Sequence, residues 1–433
     1  MIGFITETTD TKKKEFVTPT GEEDLVILAE DAIFSAEDKT VNQNVLAVGS
    51  TNAGKSMSVC EPRLLHTYNS SLVIPLVKRR LFDRYSSLLA SRGYQIIDLN
   101  LAHPEQSKTG YDPCKGIKTQ DDMLTLAAAI VGGSSKSMDK SDDPYWSEST
   151  TGCIAALMGL AKYHNNLTML YVMELFTQLS VSYPNGHART TLDDDFEELE
   201  MVEPDAQAPR LWRALSGTAS RTASCIVSMM TNALSKFCGE YGKALFDKPD
   251  TKMVSFKELG RRKTALFITT SATPSSQKIS NILYADLIKQ LFDEAEDMGG
   301  ALSVPVHILF DDFACGSKVE GFAEYLSVFR AARVSCTILL QSLSQLSSLY
   351  GPYASTTILD NMDSLVFLGS LNYDTCNEFA KRAGMSAEEV LKMPVGDVIV
   401  SRRGWGTRRT KRYPTPEDDV YKKHIAEPDQ VHE

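Results

Sequence analysis

The sequence predicts an α/β protein: a mostly parallel central sheet with helices on both faces, interrupted by an inserted all-helical segment. Three observations predict it. Short apolar runs alternate with helix-length segments in both the first and last thirds of the chain. The first pairing, "NVLAVGSTNAGKSMSVCEPRLLHTY" from residue 44, sets a Gly-rich loop between a buried strand and a helix. From residue 120 to 240 the strand-like runs give way to Ala-, Leu- and Met-rich segments of helical length.

The elements follow in order. "DLVILAEDAIF" (24–34) reads as a β-rich lead-in and "NVLAVG" (44–49) as a strand entering glycine. "SLVIPLV" (71–77) and "YQIIDLNL" (94–101) are further strands, separated by "RLFDRYSSLLASRGY", which has helical spacing and a Gly stop. "DDMLTLAAAIVGG", "TTGCIAALMGLAKYH", "LTMLYVMELFTQL" and "TASRTASCIVSMMTNALSKF" are helices of the insertion. The acidic "LDDDFEELEMVEPDA" (192–206) between them reads as solvated or partly helical surface. Strands return at "TALFITTS" (264–271), "VHILFDDF" (306–313), "CTILLQS" (336–342), "SLVFLGS" (364–370) and "DVIVSRRG" (397–404). The long helix "SNILYADLIKQLFDEAEDMGG" closes on Gly-Gly. The predicted division is 1–120 and 246–433 for the two parts of the sheet domain and 121–245 for the helical one.

Bulk composition sets limits. The 433 residues are 42% hydrophobic and 23% charged, which suits two or three globular domains. A net charge of −11 excludes a surface basic all over for nucleic acid, while leaving room for a local basic groove. The eight cysteines show no CxxC or zinc-site spacing and read as buried reduced thiols. The N-terminus lacks a signal-peptide h-region, and no run of about 18 apolar residues encodes a membrane span. If the protein works at a membrane, something else brings it there.

Gly49, Gly54, Lys55 and Ser56 fit the phosphate-loop pattern G-x-x-x-x-G-K-[ST]. Glycines let the backbone curl so that successive N–H groups face one anion, and the helix that follows adds its positive end. The candidate nucleotide-binding residues are Gly49, Ser50, Thr51, Asn52, Ala53, Gly54, Lys55, Ser56 and Met57. Lys55 would reach the β- and γ-phosphates of ATP, and the Ser56 hydroxyl would ligate Mg2+. Pro62 is expected to end or kink the helix early.

Such a loop needs an acidic partner. The apolar strand "VPVHILFDDF" ends in Asp311–Asp312. Asp311 would hold magnesium through water, and Asp312 would orient or deprotonate the attacking water. Alone, the pair reads equally as surface carboxylates; some 250 residues beyond a phosphate loop it reads as the acidic element. Gln341, ending "ILLQ", either senses the γ-phosphate or caps its strand. Arg330 and Arg333 in "SVFRAARVS" are either arginine fingers for a neighbouring subunit or salt-bridging surface residues.

With these residues in view, the chain resembles the TraG/TraD-type conjugative coupling proteins, ATPases of type IV secretion systems. The resemblance rests on the phosphate loop, the "DDF" strand, and "ILLQSLSQLSSLYG" some 20 residues after it. "DPYW" (143–146), "SLLASRGYQIIDLNL", "NMDSLVFLGS" and the "SRRG" near the end also carry it, so that it covers residues 25 to 412. It implies a RecA-like P-loop NTPase with a small all-helical domain, similar to hexameric ring motors. Such proteins pass a relaxase–single-stranded DNA complex to the secretion channel. Carried over, Lys55 and Ser56 bind ATP and magnesium, Asp311 and Asp312 form the acidic pair, Gln341 is the sensor and Arg330 the arginine after the acidic strand.

Three departures qualify the resemblance. "LVKRR" (76–80) replaces the family's Asp-Pro-Lys-Gly-Glu and keeps only Lys78. Asp312 stands for the usual Glu, one methylene shorter, which predicts slow turnover because a misplacement near 1 Å costs on the order of a hundredfold. The family's usual N-terminal membrane segment is absent from the sequence. The resemblance still implies a cytoplasmic place at the inner face of the bacterial membrane, reached either through partner proteins, as a natural short form, or through an N-terminal membrane segment missing from this sequence. A single soluble chain of this kind would be monomeric or assemble into a homo-hexamer.

DNA contacts are expected at Lys78, Arg79, Arg80, Arg402 and Arg403, with Arg261–Arg262–Lys263 and Arg408–Arg409–Lys411–Arg412 as further basic runs. Each also reads as an ordinary solvated face. Trp405 and Tyr413 flank the last run and are candidates for stacking on bases. Two further readings stay open beside the motor: a weakly or non-hydrolysing nucleotide-binding platform that docks substrates, and a generic duplex-DNA motor, against which "DPYW" argues.

Overall fold

The computed structural model describes residues 17–132, 144–235, 237–271, 273–311, 313, 319 and 321–425. Its strands are β1 (Leu25–Ala29), β2 (Ala32–Ser35), β3 (Val45–Val48), β4 (Ser71–Leu76), β5 (Gln95–Asn100), β6 (Val181–Ser182), β7 (Arg189–Thr190), β8 (Thr264–Thr269), β9 (Val306–Phe310), β10 (Val334–Leu340), β11 (Ser364–Phe367), β12 (Asp397–Arg402) and β13 (Gly406–Lys411). Among the described residues, nine of these form one sheet in the order β13-β12-β11-β3-β10-β9-β4-β8-β5. Seven neighbouring strands, from β11 to β5, are parallel. β12 and β13 add an antiparallel edge.

The strand sequences are apolar on both faces because both faces are covered. In β3, Leu46 and Val48 face one core while Val45 and Ala47 face the other. β10 does the same with Ile338 and Leu340 against Leu339. Helices Arg80–Ser91 and Glu61–Leu65, the β1–β2 hairpin and the C-terminal segment cover the second face. Helix Pro274–Asp297 and the insertion cover the first.

The insertion between β5 and β8 carries helices Gln120–Gly132, Pro144–Tyr163, Met169–Gln178, Asp193–Val202, Gln207–Trp212, Ser220–Leu234 and Gly239–Phe246. It also holds the two-residue ribbon β6–β7, which its helical composition hid. Its buried residues run without a break into the sheet's first core, from Leu157 and Trp212 through Leu283 to Ile308. The acidic segment is a folded helix. Phe196 stacks on Trp212 at 4.7 Å, and buried Asp193 accepts hydrogen bonds from Trp212 Nε1 at 3.1 Å and Ser216 Oγ at 2.9 Å.

Pro62 neither ends the helix after the phosphate loop nor leaves it regular. A π-helical turn, Ser56–Cys60, runs into helix Glu61–Leu65 with Pro62 in its first turn. The Glu61 N–H reaches back five residues to the Ser56 carbonyl. Pro62 has no N–H to give, and the widened turn just before it absorbs the misfit.

Candidate nucleotide site

Strand register assembles the site. β10 lies between β3 and β9, with Leu340 beside Val48 and Ile338 beside Phe310. The residues that follow each strand, Gly49, Asp311 and Gln341, therefore emerge together at the carboxyl edge, where α/β sheets bind ligands.

The loop is held from both sides. Gly49 N–H donates to the Leu340 carbonyl at 3.0 Å and Ser50 N–H to Gly369 at 2.8 Å. A Cβ on Gly49 would sit 3.0 Å from Ala53 Cβ and 3.1 Å from Leu368 Cβ, so nothing larger fits without displacing the loop. Asn52 (φ 63°) and Gly54 (φ 85°) turn the backbone through the left-handed region. Lys55 Nζ donates to the carbonyls of Gly49 at 2.7 Å and Ser50 at 3.0 Å, folding its ammonium over the loop.

Ser56 Oγ donates to Asp311 Oδ1 at 2.7 Å. A hydroxyl and a carboxylate side by side are hard oxygen donors of the kind Mg2+ takes, with the remaining positions left to water and phosphate. Gln341 Oε1 lies 3.5 Å from Thr51 Oγ1, so the predicted sensor faces the loop. Asp312 lies outside the described residues. Behind the loop, burial pushes the Cys60 thiol up, with Asp311 and Glu61 adding to the shift, so Cys60 is an inert packing residue.

Arg330 stands apart. Helix Phe322–Ala332 returns from the tip of β9 to the start of β10, which puts exposed Arg330, in its last turn, at the sheet edge opposite the chain's own loop. Arg333 turns its guanidinium onto the carbonyls of Leu302 and Ser303, both at 2.9 Å, and holds that turn.

The predicted basic groups separate. Lys78 is exposed, at the end of β4. Arg79 clamps Asp98 through two bonds of 3.0 and 2.8 Å and covers the Phe82 ring. Arg80 pairs with Glu61, a fully buried carboxylate in the loop's own helix that also accepts from Tyr85 Oη at 2.6 Å. The expectation of a DNA contact at Arg402 is corrected: it is 3% exposed, donates to Ser364 Oγ at 2.6 Å and lies over the Phe34 ring. Arg403 is exposed, 3.8 Å from Asp363. Arg261 is bound to Glu294, Arg262 to Glu258, and Lys263 to backbone carbonyls. Tyr413 is buried with its hydroxyl on Asp418, which removes it as a base-stacking platform; Trp405 packs edge-on against Phe34.

The Glu61–Arg80–Tyr85 brace escaped the sequence reading. Its one signal was a glutamate inside the apolar run "VCEPRLL", a charge that burial obliges to find a partner.

Fold and site together define a P-loop NTPase of the RecA-like α/β class. The chain belongs to the family described as Type IV secretory system Conjugative DNA transfer, whose model matches residues 4–393. VirD4 of Rhizobium rhizogenes is 22% identical over 352 residues, 78% of this chain and 49% of that protein. VirD4 of Agrobacterium fabrum is 21% identical over the same shares. The chain thus spans about half the length of these curated relatives. Among solved structures, the unbound bacterial conjugative coupling protein TrwB superposes with a TM-score of 0.65 at 16% identity, covering 91% of this chain and 89% of that one. TrwB with a non-hydrolysable ATP analogue gives 0.62 at 17% identity, covering 85% and 84%. VirB4 of Thermoanaerobacter pseudethanolicus gives 0.54 at 11% identity, covering 92% and 97%. Among the described residues, no helix is long and apolar enough to cross a membrane.

Proposed function

We propose that this chain is an ATP-driven coupling component of a conjugative secretion system, delivering relaxase–single-stranded DNA to the channel at the inner face of the cell membrane. The observation that carries the reading is the 2.7 Å contact of Ser56 with Asp311, which joins a phosphate loop to an acidic strand tip across 255 residues of sequence. TrwB, of similar fold, has been solved with an ATP analogue and with ADP and Mg2+.

In this reading the segment Gly49–Met57 cradles the phosphates. Gly49, Ser50 and Ala53, whose N–H groups are spent on Leu340, Gly369 and Ser50, shape the loop with Thr51 and Asn52, while the amides from Gly54 to Met57 and the Lys55 ammonium bind the anion. Ser56 and Asp311 hold Mg2+, which when bound neutralises phosphate charge and orients the γ-phosphoryl group. Asp312 positions the attacking water, and Gln341 hydrogen-bonds toward the γ-phosphate. Arg330, remote from its own loop, serves the neighbouring chain in a homo-hexamer. The residues 121–245 form the helical domain of the NTPase halves 1–120 and 246–433. Lys78 and Arg403, with exposed heads, are the phosphate contacts for DNA; Arg79 and Arg80, already paired, brace the site beside them.

The test is steady-state ATPase activity at low salt, wild type against Lys55→Ala, with and without single-stranded DNA. Activity that needs Lys55 and rises with DNA supports the motor. Tight nucleotide binding with no Lys55-dependent turnover favours the docking platform, for which the short Asp312 is the motive. Stronger stimulation by duplex than by single strands would favour a duplex motor.

A further inference from the structure

We propose that Arg412 is a phosphate-binding residue of the same chain's nucleotide site, contacting the polyphosphate of a nucleoside di- or triphosphate. The proposal rests on the nucleotide reading above and removes Arg412 from the DNA-contact group.

Arg412 directly follows β13, the far edge of the sheet, yet its side chain lies against the phosphate loop. A Cβ built on Gly54 would be 2.9 Å from Arg412 Nη1. The guanidinium is thus packed on loop backbone, beside the start of the helical turn at Ser56.

Its basic neighbours are all engaged. Arg409 and Lys411 share Asp397, Arg408 lies over the Trp405 ring, and Arg402 is buried on Ser364. The Arg412 side chain has no hydrogen bond and no ion pair among the described residues. Arg412 is exposed, and its guanidinium beside the loop and the Lys55 ammonium adds positive charge where a phosphate would bring the neutralising anion. The planar fork of arginine matches a phosphate.

The placement is also anchored. Arg412 N–H donates to the Gly396 carbonyl at 2.9 Å. The next residue, Tyr413, is buried with its hydroxyl 2.5 Å from Asp418, which also pairs with His66 at 2.7 Å. Thr415 Oγ1 donates to the Met57 carbonyl at 2.5 Å, tying the segment to the loop's first helical turn. The chain end is thus fastened beside the loop on both sides of Arg412, and the guanidinium is delivered there by the fold.

The test titrates fluorescent (MANT) ADP and ATP, with magnesium, into the full chain, wild type against Arg412→Ala. The expected result is about tenfold weaker binding of both nucleotides, or ~1.4 kcal/mol. Thermal midpoint and oligo(dT) affinity should be unchanged, and Arg412→Lys should recover part of the loss. If the Ala variant is unstable, Arg412→Gln, which keeps most of the stem, gives the same comparison. Nucleotide affinities equal to wild type overturn the proposal, and a selective loss of oligo(dT) affinity returns Arg412 to the DNA group. Failure of the nucleotide reading itself shows differently: the wild type gives no MANT signal, or Lys55→Ala binds as tightly as wild type.

Discussion

Ser56 and Asp311 meet at 2.7 Å, hydroxyl to carboxylate, although 255 residues separate them. The contact exists because β9 and β3 flank β10 in register, so that their carboxyl ends open on one edge. Everything the site is proposed to do with magnesium depends on this pair staying together.

Ser56→Ala and Asp311→Asn are therefore expected to act alike. Each removes one oxygen donor while sparing the loop amides, so turnover should fall on the order of a hundredfold. Nucleotide affinity measured in EDTA should stay within a few-fold of wild type. A magnesium titration of ATPase activity and of fluorescent-nucleotide binding checks both. Magnesium dependence unchanged in either variant would remove the pair from the metal site.

Arg80 and Glu61 make a second long-range link. Glu61 is fully buried, while the Arg80 side chain is half exposed. Arg80→Ala leaves a buried carboxylate with only the Tyr85 hydroxyl to satisfy it, and should cost about 2 kcal/mol of stability, less than for a wholly buried pair. Glu61→Gln in the same chain should return most of that loss, because the neutral amide needs no counter-charge. Urea unfolding of the single and double variants measures the coupling; additive effects would mean the pair contributes nothing.

The seam between the insertion and helix Pro274–Asp297 should be sensitive to pH through Asp286. Burial pushes its carboxyl from 3.8 up to about 6, against the opposing hydrogen bonds from Gln290 at 3.0 Å and Tyr111 at 3.1 Å. The raised value means the folded state prefers the protonated acid. Its stabilising effect is complete below pH 4 and is lost as pH climbs through 6. Relative to Asp286→Asn, the wild type should lose about 2 kcal/mol across that interval. Parallel melting curves of the two proteins from pH 4 to 7 read the difference; parallel pH profiles would show that Asp286 titrates normally.

Arg330 lies at the edge of the sheet opposite its own loop, so its effect on catalysis should appear only between chains. Arg330→Ala is expected to bind nucleotide as wild type does and to turn it over at least tenfold more slowly. Mixing it with Lys55→Ala should restore part of the activity, since each variant supplies what the other lacks. ATPase assays of the mixture against the separate proteins decide it, and no recovery at any ratio would confine Arg330 to a structural role.

The sheet was legible from sequence wherever a strand is apolar on both faces, because local composition carries that signal. β3, β4, β5, β8, β9, β10, β11 and β12 all fall on runs predicted as strands. β13, "GTRRTK", did not read as a strand. An edge strand with one side in solvent has no apolar period, and its charges read as a basic patch. The acidic segment 192–206 read as solvated or partly helical surface, and helix Asp193–Val202 is that on its exposed side; the inward side, with Asp193, Phe196 and Leu199 buried, was hidden by the charges around it.

By itself the sequence determined the strand–loop–helix chemistry of residues 44 to 65, the acidic strand and the order of elements. These are short-range patterns, written in neighbouring residues. Which cations remain available was decided only by the tertiary structure. Arg79, Arg80 and Arg402 look alike in a run of letters, but their partners Asp98, Glu61 and Ser364 lie 19 or 38 residues away. Arg412 found the phosphate loop only because β13 closes the sheet and the chain beyond it folds back onto the loop's helix. A charge reads the same in sequence whether it is neutralised or not; its counter-charge is set by packing, and packing is non-local.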